Sequence, residues 1–265
     1  MLSKKKSISE LLQSWQYDEE LKQNIIHWHT LDGKRAEYAP FPDELHPSLQ
    51  KALRLRGIEQ LYTHQREAFD KATSGTSFTA ITPTASGKSL CYHLPVLQEI
   101  INDKSSRAIY LFPTKALAQD QKTDLNELIE ATGEEVLSYT YDGDTAPGIR
   151  TKIRKAGHIV MTNPDMLHSG ILPHHTKWVS LFENLKYIVI DELHTYKGVF
   201  GSHVAHVIRR LKRICAFYGA NPIFICTSAT IKNPKELAES LTNEKHELIT
   251  KSGAPVGKKT FIFYN

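Results

Sequence analysis

Short apolar runs alternate with amphipathic stretches along the chain from about residue 61 onward. The runs have the length of buried strands, and the stretches between them carry apolar residues at helical spacing. The pattern predicts strands over residues 78–82, 108–112, 136–141, 158–162, 187–191 and 223–228. It predicts helices over residues 88–101, 116–132, 147–156, 164–171, 201–218 and 234–241. Because several strands are apolar on both faces, we predict an α/β fold in which helices cover both faces of a mostly parallel sheet.

The first 60 residues do not follow this alternation. A short helix is predicted near residues 9–12, and apolar residues at helical spacing predict another over 45–55 that stops at Gly57. We therefore predict an accessory segment over residues 1–60 and a main domain over 61–251. In the last segment, 252–265, a loop rich in Gly, Pro and Lys precedes the apolar run 261–264.

Composition narrows the class of protein. Of the 265 residues, 40% are hydrophobic and 23% are charged, which excludes a disordered, collagen-like or coiled-coil chain. The formal net charge of +4 permits nucleic-acid binding but does not require it. The three cysteines lie far apart, so we expect a reducing compartment. No apolar run approaches the roughly 20 residues of a membrane span, and no signal peptide is evident, so we expect a cytoplasmic protein with no membrane partner.

Residues 82–89, with the sequence TPTASGKS, follow one predicted strand and begin the next predicted helix. They fit the phosphate-binding pattern GxxxxGK[ST], except that Thr82 replaces the first glycine. In such a loop, backbone N–H groups surround phosphate oxygens, the lysine reaches the β- and γ-phosphates, and the hydroxyl after it ligates Mg²⁺. The alternative is an ordinary strand-to-helix turn. The predicted nucleotide-binding residues are Thr84, Ala85, Ser86, Gly87, Lys88 and Ser89.

Asp191 and Glu192 directly follow an apolar strand that ends in Ile190. Ligands of parallel sheets gather beyond the carboxyl ends of the strands, where the phosphate loop also lies. The 103 positions that separate Lys88 from Asp191 leave room for βα units, so we expect their two strands to be neighbours in the sheet. Asp191 would hold Mg²⁺, and Glu192 would orient or deprotonate an attacking water. The alternative is a solvated acidic turn.

Seven motifs in order resemble those of superfamily 2 helicases of the DExH type. They are YTHQ at 62–65, TPTASGKS at 82–89, FPTKAL at 112–117, YDGD at 141–144, TNPD at 162–165, DELH at 191–194 and SAT at 228–230. The chain is therefore similar to the first RecA-like domain of such a helicase. The P-loop and the sequence DELHTY are most similar to those of the bacterial DNA repair helicases of the MrfA (YprA) group.

This resemblance implies a role for each matching residue, with ATP and Mg²⁺ as cofactors. Contact with adenine is implied for Tyr62 and Gln65. Catalysis of ATP hydrolysis is implied for Lys88, Asp191 and Glu192, with Ser89 and Asp191 as Mg²⁺ ligands. Coupling between nucleotide and nucleic acid is implied for His194, Ser228 and Thr230. Contact with nucleic acid is implied for Pro113, Thr114, Lys115, Gly143, Asp144, Thr162 and Asn163, although the Asp144 carboxylate repels phosphate.

The resemblance also implies partners beyond the chain. In superfamily 2 helicases a second RecA-like domain supplies an arginine to the γ-phosphate, and the 35 residues after Thr230 are too few for a domain of on the order of 100 residues. We therefore expect residues 61–251 to be the first RecA-like domain, 252–265 to begin the linker to the second, and the chain alone to be nearly inactive. A longer protein with a C-terminal module would be an ATP-dependent helicase or translocase that acts on single-stranded or partly duplex DNA. Its expected biological role is DNA repair. The alternatives are an RNA helicase of the same superfamily and a nucleotide-dependent interaction switch without motor activity.

A basic cluster lies on the predicted helix after the DELH motif. Its members are Arg209, Arg210, Lys212 and Arg213. We interpret this cluster as a solvated helix face, with nucleic-acid contact as the alternative.

Overall fold

The computed structural model describes residues 7–83 and 85–265. The chain forms two compact units, which are described separately. The larger unit is Glu37–Ala254, and the smaller one combines the chain up to Ala36 with Pro255–Asn265. Among the described residues, no helix is both long and apolar enough to cross a membrane.

Helices and strands alternate through most of the chain. The helices are α1 (Ile8–Tyr17), α2 (Glu19–Asn24), α3 (Pro47–Leu55), α4 (Thr63–Thr73), α5 (Leu90–Asn102), α6 (Lys115–Thr132), α7 (Pro147–Ala156), α8 (Pro164–Met166), α9 (Val179–Glu183), α10 (Gly198–Phe217) and α11 (Pro234–Thr242). The strands are β1 (Ile25–Leu31), β2 (Tyr38–Ala39), β3 (Leu61–Tyr62), β4 (Phe78–Ile81), β5 (Arg107–Leu111), β6 (Ser138–Thr140), β7 (Ile159–Thr162), β8 (Leu185–Ile190), β9 (Ile223–Ser228), β10 (Glu247–Ile249) and β11 (Lys259–Tyr264).

A seven-stranded sheet forms the centre of the larger unit. Its strand order is β10-β4-β9-β8-β5-β7-β6, and every neighbouring pair is parallel. One core cluster packs α3 to α6 on the sheet through residues such as Leu53, Phe69 and Leu94. A second cluster packs α7, α9, α10 and α11 through residues such as Phe182 and Ile208. Because helices cover both faces, the central strands consist mainly of buried apolar residues, and the predicted α/β fold is confirmed.

The six predicted strands are present, with ends that differ by up to two residues from the prediction. The prediction misses β10, the edge strand that pairs with β4 from Glu247↔Phe78 to Ile249↔Ala80. This strand has three residues and begins with an exposed glutamate, so no apolar run marks it. Edge strands bury less of their surface than central ones, and their sequences are correspondingly harder to distinguish from loops.

The helix predicted over residues 164–171 is divided in the structure. A single α-turn, α8, passes into a π-turn over Leu167–Ile171 and then into a 3₁₀ segment over Leu172–Lys177. Pro173 lies at the start of the last segment and lacks the N–H that an α-helix would need there. The change from the π-turn to the 3₁₀ segment therefore occurs where regular α-helical bonding cannot continue.

The larger unit begins at Glu37, earlier than the predicted boundary at residue 61. Helix α3 buries Leu49, Ala52 and Leu53 in the same cluster as α4 to α6. Strand β2 also pairs with β3, with Tyr38 opposite Tyr62. In the structure, residues 37–60 are therefore part of the larger unit, because their apolar side chains complete its core.

The smaller unit is held by a two-stranded antiparallel sheet. Strand β1 pairs with β11 from Ile25↔Tyr264 to Leu31↔Lys259. Helix α1 begins with a capping box in which Ser7 and Glu10 bond reciprocally. The apolar run 261–264 thus lies inside a strand, and its continuation into a linker to another domain stays a prediction.

Candidate functional site

The P-loop, the DELH segment and the SAT segment follow three adjacent strands. Strand β9 lies between β4 and β8 and is parallel to both. The residues that follow these three strands consequently lie at one edge of the sheet, the carboxyl edge. The prediction that β4 and β8 are direct neighbours is wrong, because β9 separates them. Residues 82–89, 191–194 and 228–230 are called the P-loop half of the carboxyl edge below.

Left-handed backbone at Ala85 and Gly87 shapes the P-loop. The φ angle is 61° at Ala85 and 74° at Gly87, in a region that is unfavourable for a residue with a Cβ atom. A Cβ atom at position 87 would lie 2.6 Å from Gln65 Nε2 and would displace that amide, and the left-handed φ also favours glycine there. The hydroxyls of Thr82 and Ser86 lie 2.6 Å apart, and this bond ties together the ends of the loop where the first glycine of the pattern is replaced. Thr84, also predicted to bind nucleotide, lies outside the described residues.

Lys88 and Ser89 lie where the P-loop passes into α5. The Lys88 ammonium donates to the Ser228 carbonyl oxygen at the end of β9, over 3.5 Å. Ser89 is the N-cap residue of α5, and its Oγ lies 3.4 Å from Asp124 Oδ2 on α6. The structure therefore brings the predicted lysine of the P-loop into contact with the predicted coupling segment.

Asp191 is a nearly buried carboxylate, with 7% of its surface exposed. Burial raises the pKa of this carboxyl, while the Thr227 hydroxyl, the Glu192 N–H and the Lys88 charge favour its ionised form. Both hydrogen bonds that it accepts from described residues, from the Thr227 hydroxyl and the Glu192 N–H, go to Oδ1. A cation at this carboxylate would offset the cost of burying its charge. The oxygen donor and its environment therefore fit a hard cation such as Mg²⁺.

Glu192 turns the chain from β8 into the 3₁₀ turn Leu193–Thr195, with a left-handed φ of 51°. The Nδ1 atom of His194 lies 3.1 Å from Glu192 Oε2 and 3.4 Å from the Ala229 backbone nitrogen. One ring nitrogen cannot serve both partners at once, since it donates when protonated and accepts when it is not. His194 therefore offers two alternative bonds, one within the DELH segment and one to the SAT segment.

The SAT segment has one buried and one exposed hydroxyl residue. Ser228 pairs with Ile81 at the ends of β9 and β4, and its Oγ is buried without a hydrogen-bond partner among the described residues. Thr230 is exposed. Unpartnered buried hydroxyls are uncommon in folded proteins, and this one lies at the end of the strand between those that carry the P-loop and the DELH segment.

Gln65 contacts the P-loop directly. Its Oε1 accepts from the Tyr62 N–H and its Nε2 donates to the Gly87 carbonyl oxygen, both over 3.0 Å. Beside it lies a cavity of about 360 Å³, lined by Tyr62, Gln65, Gly87, Leu90, Tyr38 and residues 57–60. This volume falls within the range of small-ligand sites, about 300–1,000 Å³. Tyr38, which the sequence prediction missed, stacks on Tyr62 with ring centroids 5.4 Å apart.

His64 is a second residue at the P-loop that the sequence prediction missed. Its Nε2 lies 3.1 Å from the Ser86 carbonyl oxygen, and its Nδ1 accepts from the Gly253 N–H over 3.2 Å. Because Nδ1 accepts, Nε2 carries the proton and donates to Ser86. Burial lowers the pKa of His64 and keeps the ring neutral. No local pattern distinguishes a histidine in the first turn of a helix, so only the fold reveals this bridge.

The loops after β5, β7 and β6 form the other half of the carboxyl edge. Residues 113–115, 141–145 and 163–165 are called the Lys115 half below. The Lys115 ammonium lies 2.5 Å from Asp144 Oδ2, and both side chains are exposed. This ion pair raises the pKa of Lys115 and lowers that of Asp144. It connects the loop after β5 with the loop after β6, and Arg150 holds the latter by donating to the Gly143 carbonyl oxygen over 3.2 Å.

Other candidates near the Lys115 half are engaged in local bonds. Thr114 caps α6 by accepting from the Leu117 N–H over 3.3 Å, and Asn163 caps α8 in the same way. The Thr162 side chain is buried and donates to the Tyr141 carbonyl oxygen over 2.7 Å. Pro113 is half-buried. The structure gathers these residues at one edge, but Thr162 does not present its hydroxyl to solvent.

The comparisons with known proteins agree with this arrangement. The sequence model described as DEAD/DEAH box helicase matches residues 62–237, which include every predicted site residue. The chain belongs to the DEAD/DEAH box helicase family. The resemblance drawn from the ordered motifs is thereby confirmed.

Relatives within this family differ in length from the chain. Over 262 residues the chain is 62% identical to the ATP-dependent helicase YprA of Bacillus subtilis, a match that covers 99% of the chain and 34% of YprA. It is 38% identical to the ATP-dependent helicase HRQ1 of Saccharomyces cerevisiae, covering 98% of the chain and 24% of HRQ1. The chain thus spans about a third or less of the length of these relatives.

Solved helicase structures share the fold. The crystal structure of the helicase MrfA bound to DNA and AMPPNP has a TM-score of 0.93 and 62% identity, covering 98% of the chain and 36% of MrfA. The helicase Lhr of Mycobacterium smegmatis, bound to single-stranded DNA and AMP-PNP, has a TM-score of 0.70 at 20% identity, covering 80% of the chain and 28% of Lhr. At that identity the likeness concerns the fold alone, and it confirms the RecA-like architecture.

Proposed function

We propose that the chain is the ATP-binding half of an ATP-dependent DNA helicase or translocase that acts in DNA repair. The proposal depends on one observation: the P-loop, Lys88 and the buried Asp191 lie together at one edge of the sheet, with Ser228 between them. Phosphoryl transfer needs this combination of backbone donors, a cation and a carboxylate around a triphosphate. The MrfA complex with AMPPNP supports ATP as the ligand.

Binding of ATP would use groups that are already close together. Backbone N–H groups of the P-loop and the start of α5 would donate to phosphate oxygens, and Lys88 would exchange the Ser228 carbonyl for the β- and γ-phosphates. The base would enter the cavity beside Tyr62. Gln65 would then exchange its bond to Gly87 for one to the adenine edge.

Hydrolysis would depend on the carboxylates of the DELH segment. Asp191 and Ser89 would hold Mg²⁺, which when bound neutralises charge on the phosphates. The Ser89 hydroxyl would give up its contact with Asp124 in order to bind the ion. Glu192 would accept a proton from the attacking water, and His194 would hold that carboxylate in position. Release of Glu192 by His194 would restore the bond to Ala229 and so pass the change to the SAT segment.

DNA is the proposed polymer. The crystal structures of MrfA contain DNA, and the ATP-dependent DNA helicase Hel308 of Pyrococcus abyssi is 30% identical over 218 residues. The Lys115 half would contact phosphates through Lys115 and through the backbone of the loops around Thr114 and Gly143. These contacts carry no base specificity, as translocation along any sequence requires. An RNA helicase is not favoured by these relatives.

Motor activity would belong to a longer protein. The match covers 34% of YprA, which leaves room for a second RecA-like domain and a C-terminal module. The second domain would supply the arginine that stabilises the γ-phosphate in the transition state. The chain alone would bind ATP weakly, hydrolyse it slowly and unwind nothing. We also propose that the protein acts in the cytoplasm, where it would reach its DNA substrate.

The test compares the chain with a longer protein that includes the second RecA-like domain. We expect the longer protein to hydrolyse ATP faster with single-stranded DNA than with single-stranded RNA, and the chain alone to respond to neither. Greater stimulation by RNA would contradict the DNA assignment. Strong DNA-stimulated hydrolysis by the chain alone would contradict the assignment of the chain as half of an active site. A longer protein with no second RecA-like domain would favour an interaction switch instead.

A further inference from the structure

Three arginines on α10 lack the bonding partners that the other arginines of the larger unit have. The side chains of Arg209, Arg210 and Arg213 make no hydrogen bond or ion pair with any residue that the structure describes. The partnered arginines are Arg54, Arg56, Arg66, Arg107, Arg150 and Arg154, which contact carboxylates, backbone carbonyls or a threonine hydroxyl. Lys212, the fourth member of the basic cluster, pairs with Glu244, so the three arginines alone form an uncompensated positive patch.

This patch borders a groove between α8 and α10. The groove has a volume of about 510 Å³, and its floor includes Val204, Val207 and Phe200. The charged residues that line it are Asp165, Arg209, Arg210 and Arg213, which give a net charge of +2 with histidines neutral. Such a groove combines an apolar floor with a cationic rim, and it favours an anionic ligand with apolar faces.

Phe200 gives the groove an exposed aromatic surface. Its side chain is 42% exposed, although aromatic side chains are usually buried. Tyr196 stacks on it with ring centroids 5.8 Å apart and an interplanar angle of 25°. The Phe200 ring is thus supported by the protein and accessible to a ligand. Aromatic rings of this kind serve as stacking platforms for unpaired bases.

The position of the groove connects it to the proposed nucleic-acid contacts. Pro164 and Asp165 line the groove and directly follow Asn163, so its near end lies at the Lys115 half of the carboxyl edge. A strand that crosses this edge could continue along α10 without leaving the protein surface.

We propose that the groove binds a segment of single-stranded DNA, with Arg210 and Arg213 on its phosphates and Phe200 against a base. The proposal rests on the proposed function and adds a subsite to it. Duplex DNA would offer phosphates but no exposed base face for Phe200, and an acidic peptide would leave the aromatic surface unused. The arginines of the basic cluster, interpreted from sequence as part of a solvated face, then belong to a binding surface.

The first test measures the affinity of the 265-residue chain for a fluorescent single-stranded oligonucleotide at several salt concentrations. The variant R210A/R213A should bind more weakly, and the slope of log affinity against log salt should decrease by about 1.4, since each lost phosphate contact contributes about 0.7. The matched control K51A/K245A removes two exposed lysines elsewhere and should leave both quantities unchanged.

Phe200→Ala should weaken binding at least about fivefold with no change in slope. Affinity for a fluorescent ATP analogue, unchanged in every variant, would show that each one is folded.

The possible outcomes separate the subsite from the proposed function. If the parent chain binds the oligonucleotide and R210A/R213A matches it in affinity and slope, the subsite is overturned and the helicase assignment stands. Duplex DNA and poly-glutamate are measured as alternative ligands. If R210A/R213A lost affinity only for one of these and not for the single-stranded oligonucleotide, the subsite would also be overturned. A parent chain that binds the ATP analogue but no DNA would overturn the subsite, and the helicase assignment would then be decided by the test on the longer protein. An oligonucleotide with 5-iodouracil should crosslink to Phe200 on irradiation, and crosslinks found only outside residues 164–213 would place the strand elsewhere.

Discussion

The two halves of the carboxyl edge differ in how their polar groups are arranged. In the P-loop half four polar residues are buried, namely Thr82, Ser86, Asp191 and Ser228, and four more are half-buried, namely Lys88, Ser89, Glu192 and His194. The Thr82–Ser86 bond, the Gln65 contact and the His64 bridge hold the P-loop from several sides. In the Lys115 half the principal charges are exposed and form one ion pair, Lys115 with Asp144.

This difference corresponds to two kinds of binding. Chemistry at a phosphate requires donors that are fixed before the ligand arrives, because reorganisation during the reaction would raise the barrier. Contact with a sliding nucleic-acid strand requires the opposite, since each phosphate must be released as readily as it is bound. An exposed lysine that exchanges Asp144 for phosphate suits that purpose. We therefore expect substitutions in the P-loop half to have large effects and substitutions in the Lys115 half to have small ones.

Glu192→Gln should produce the largest effect. The amide keeps the size of the side chain but cannot accept the proton of the attacking water, so ATP hydrolysis in the longer protein should fall by about 10²–10⁴-fold. Affinity for ATP should change little, because Glu192 is not expected to contact the phosphates. Steady-state hydrolysis and equilibrium binding of an ATP analogue measure the two quantities. Retention of rapid turnover would remove Glu192 from the catalytic role.

Lys88→Ala should have the next largest effect, on binding itself. The substitution removes charge-assisted hydrogen bonds to two phosphates, each worth about 1.5–3 kcal/mol, so affinity should fall on the order of 100-fold or more. Titration calorimetry of the chain with ATP and Mg²⁺ would measure it. Lys115→Ala is the matched control, since it removes the same charge from the other half of the edge. If both variants lost ATP affinity equally, the functional division of the edge would be contradicted.

His64→Ala should destabilise the P-loop half. It removes two buried hydrogen bonds and leaves the Ser86 carbonyl and the Gly253 N–H without them, at a cost of about 2–4 kcal/mol in the free energy of unfolding. His64→Gln keeps one donor and should lose less. Urea denaturation of the three proteins would give the ranking.

The same residue predicts a pH dependence. Because burial lowers the pKa of His64, the unfolded chain binds a proton more readily than the folded one below about pH 6.5. The free energy of unfolding should therefore decrease as the pH falls below that value and be fully retained above it. His64→Gln should flatten this part of the curve. A parent protein and variant with parallel curves from pH 8 to pH 5 would show that His64 does not titrate in this way.

The P-loop half was the more predictable part of the molecule. Gly87, Lys88 and Asp191 form short sequence patterns because a buried loop of fixed geometry tolerates few residue types. The central strands were predictable for a related reason, since burial on both faces makes most of their residues apolar. The order β4-β9-β8 was not predictable from the motifs, because each motif specifies a strand end and none specifies which strand lies beside it.

The parts that sequence reasoning missed depend on long-range contacts. His64 contacts Gly253, which lies 189 positions later in the sequence. Tyr38 lines the cavity although it belongs to the segment 1–60 that was predicted to be accessory. The arginines of α10 belong to no recognised sequence motif. Only the structure shows that their side chains lack the bonding partners that the other arginines of the larger unit have. In the Lys115 half, the prediction gave Thr162 a role that its buried hydroxyl does not favour in this structure.

The smallest effects should come from the Lys115–Asp144 pair, and their signs are informative. Asp144→Asn frees Lys115 and removes a charge that repels phosphate, so affinity for single-stranded DNA should rise, by about two- to fivefold for an exposed site. Lys115→Ala should lower affinity by a similar factor and decrease the salt slope by about 0.7. Fluorescence anisotropy at several salt concentrations would measure both. If Asp144→Asn weakened binding instead, the carboxylate would be holding the loop in its binding shape, and the exchange of Asp144 for phosphate would have to be abandoned.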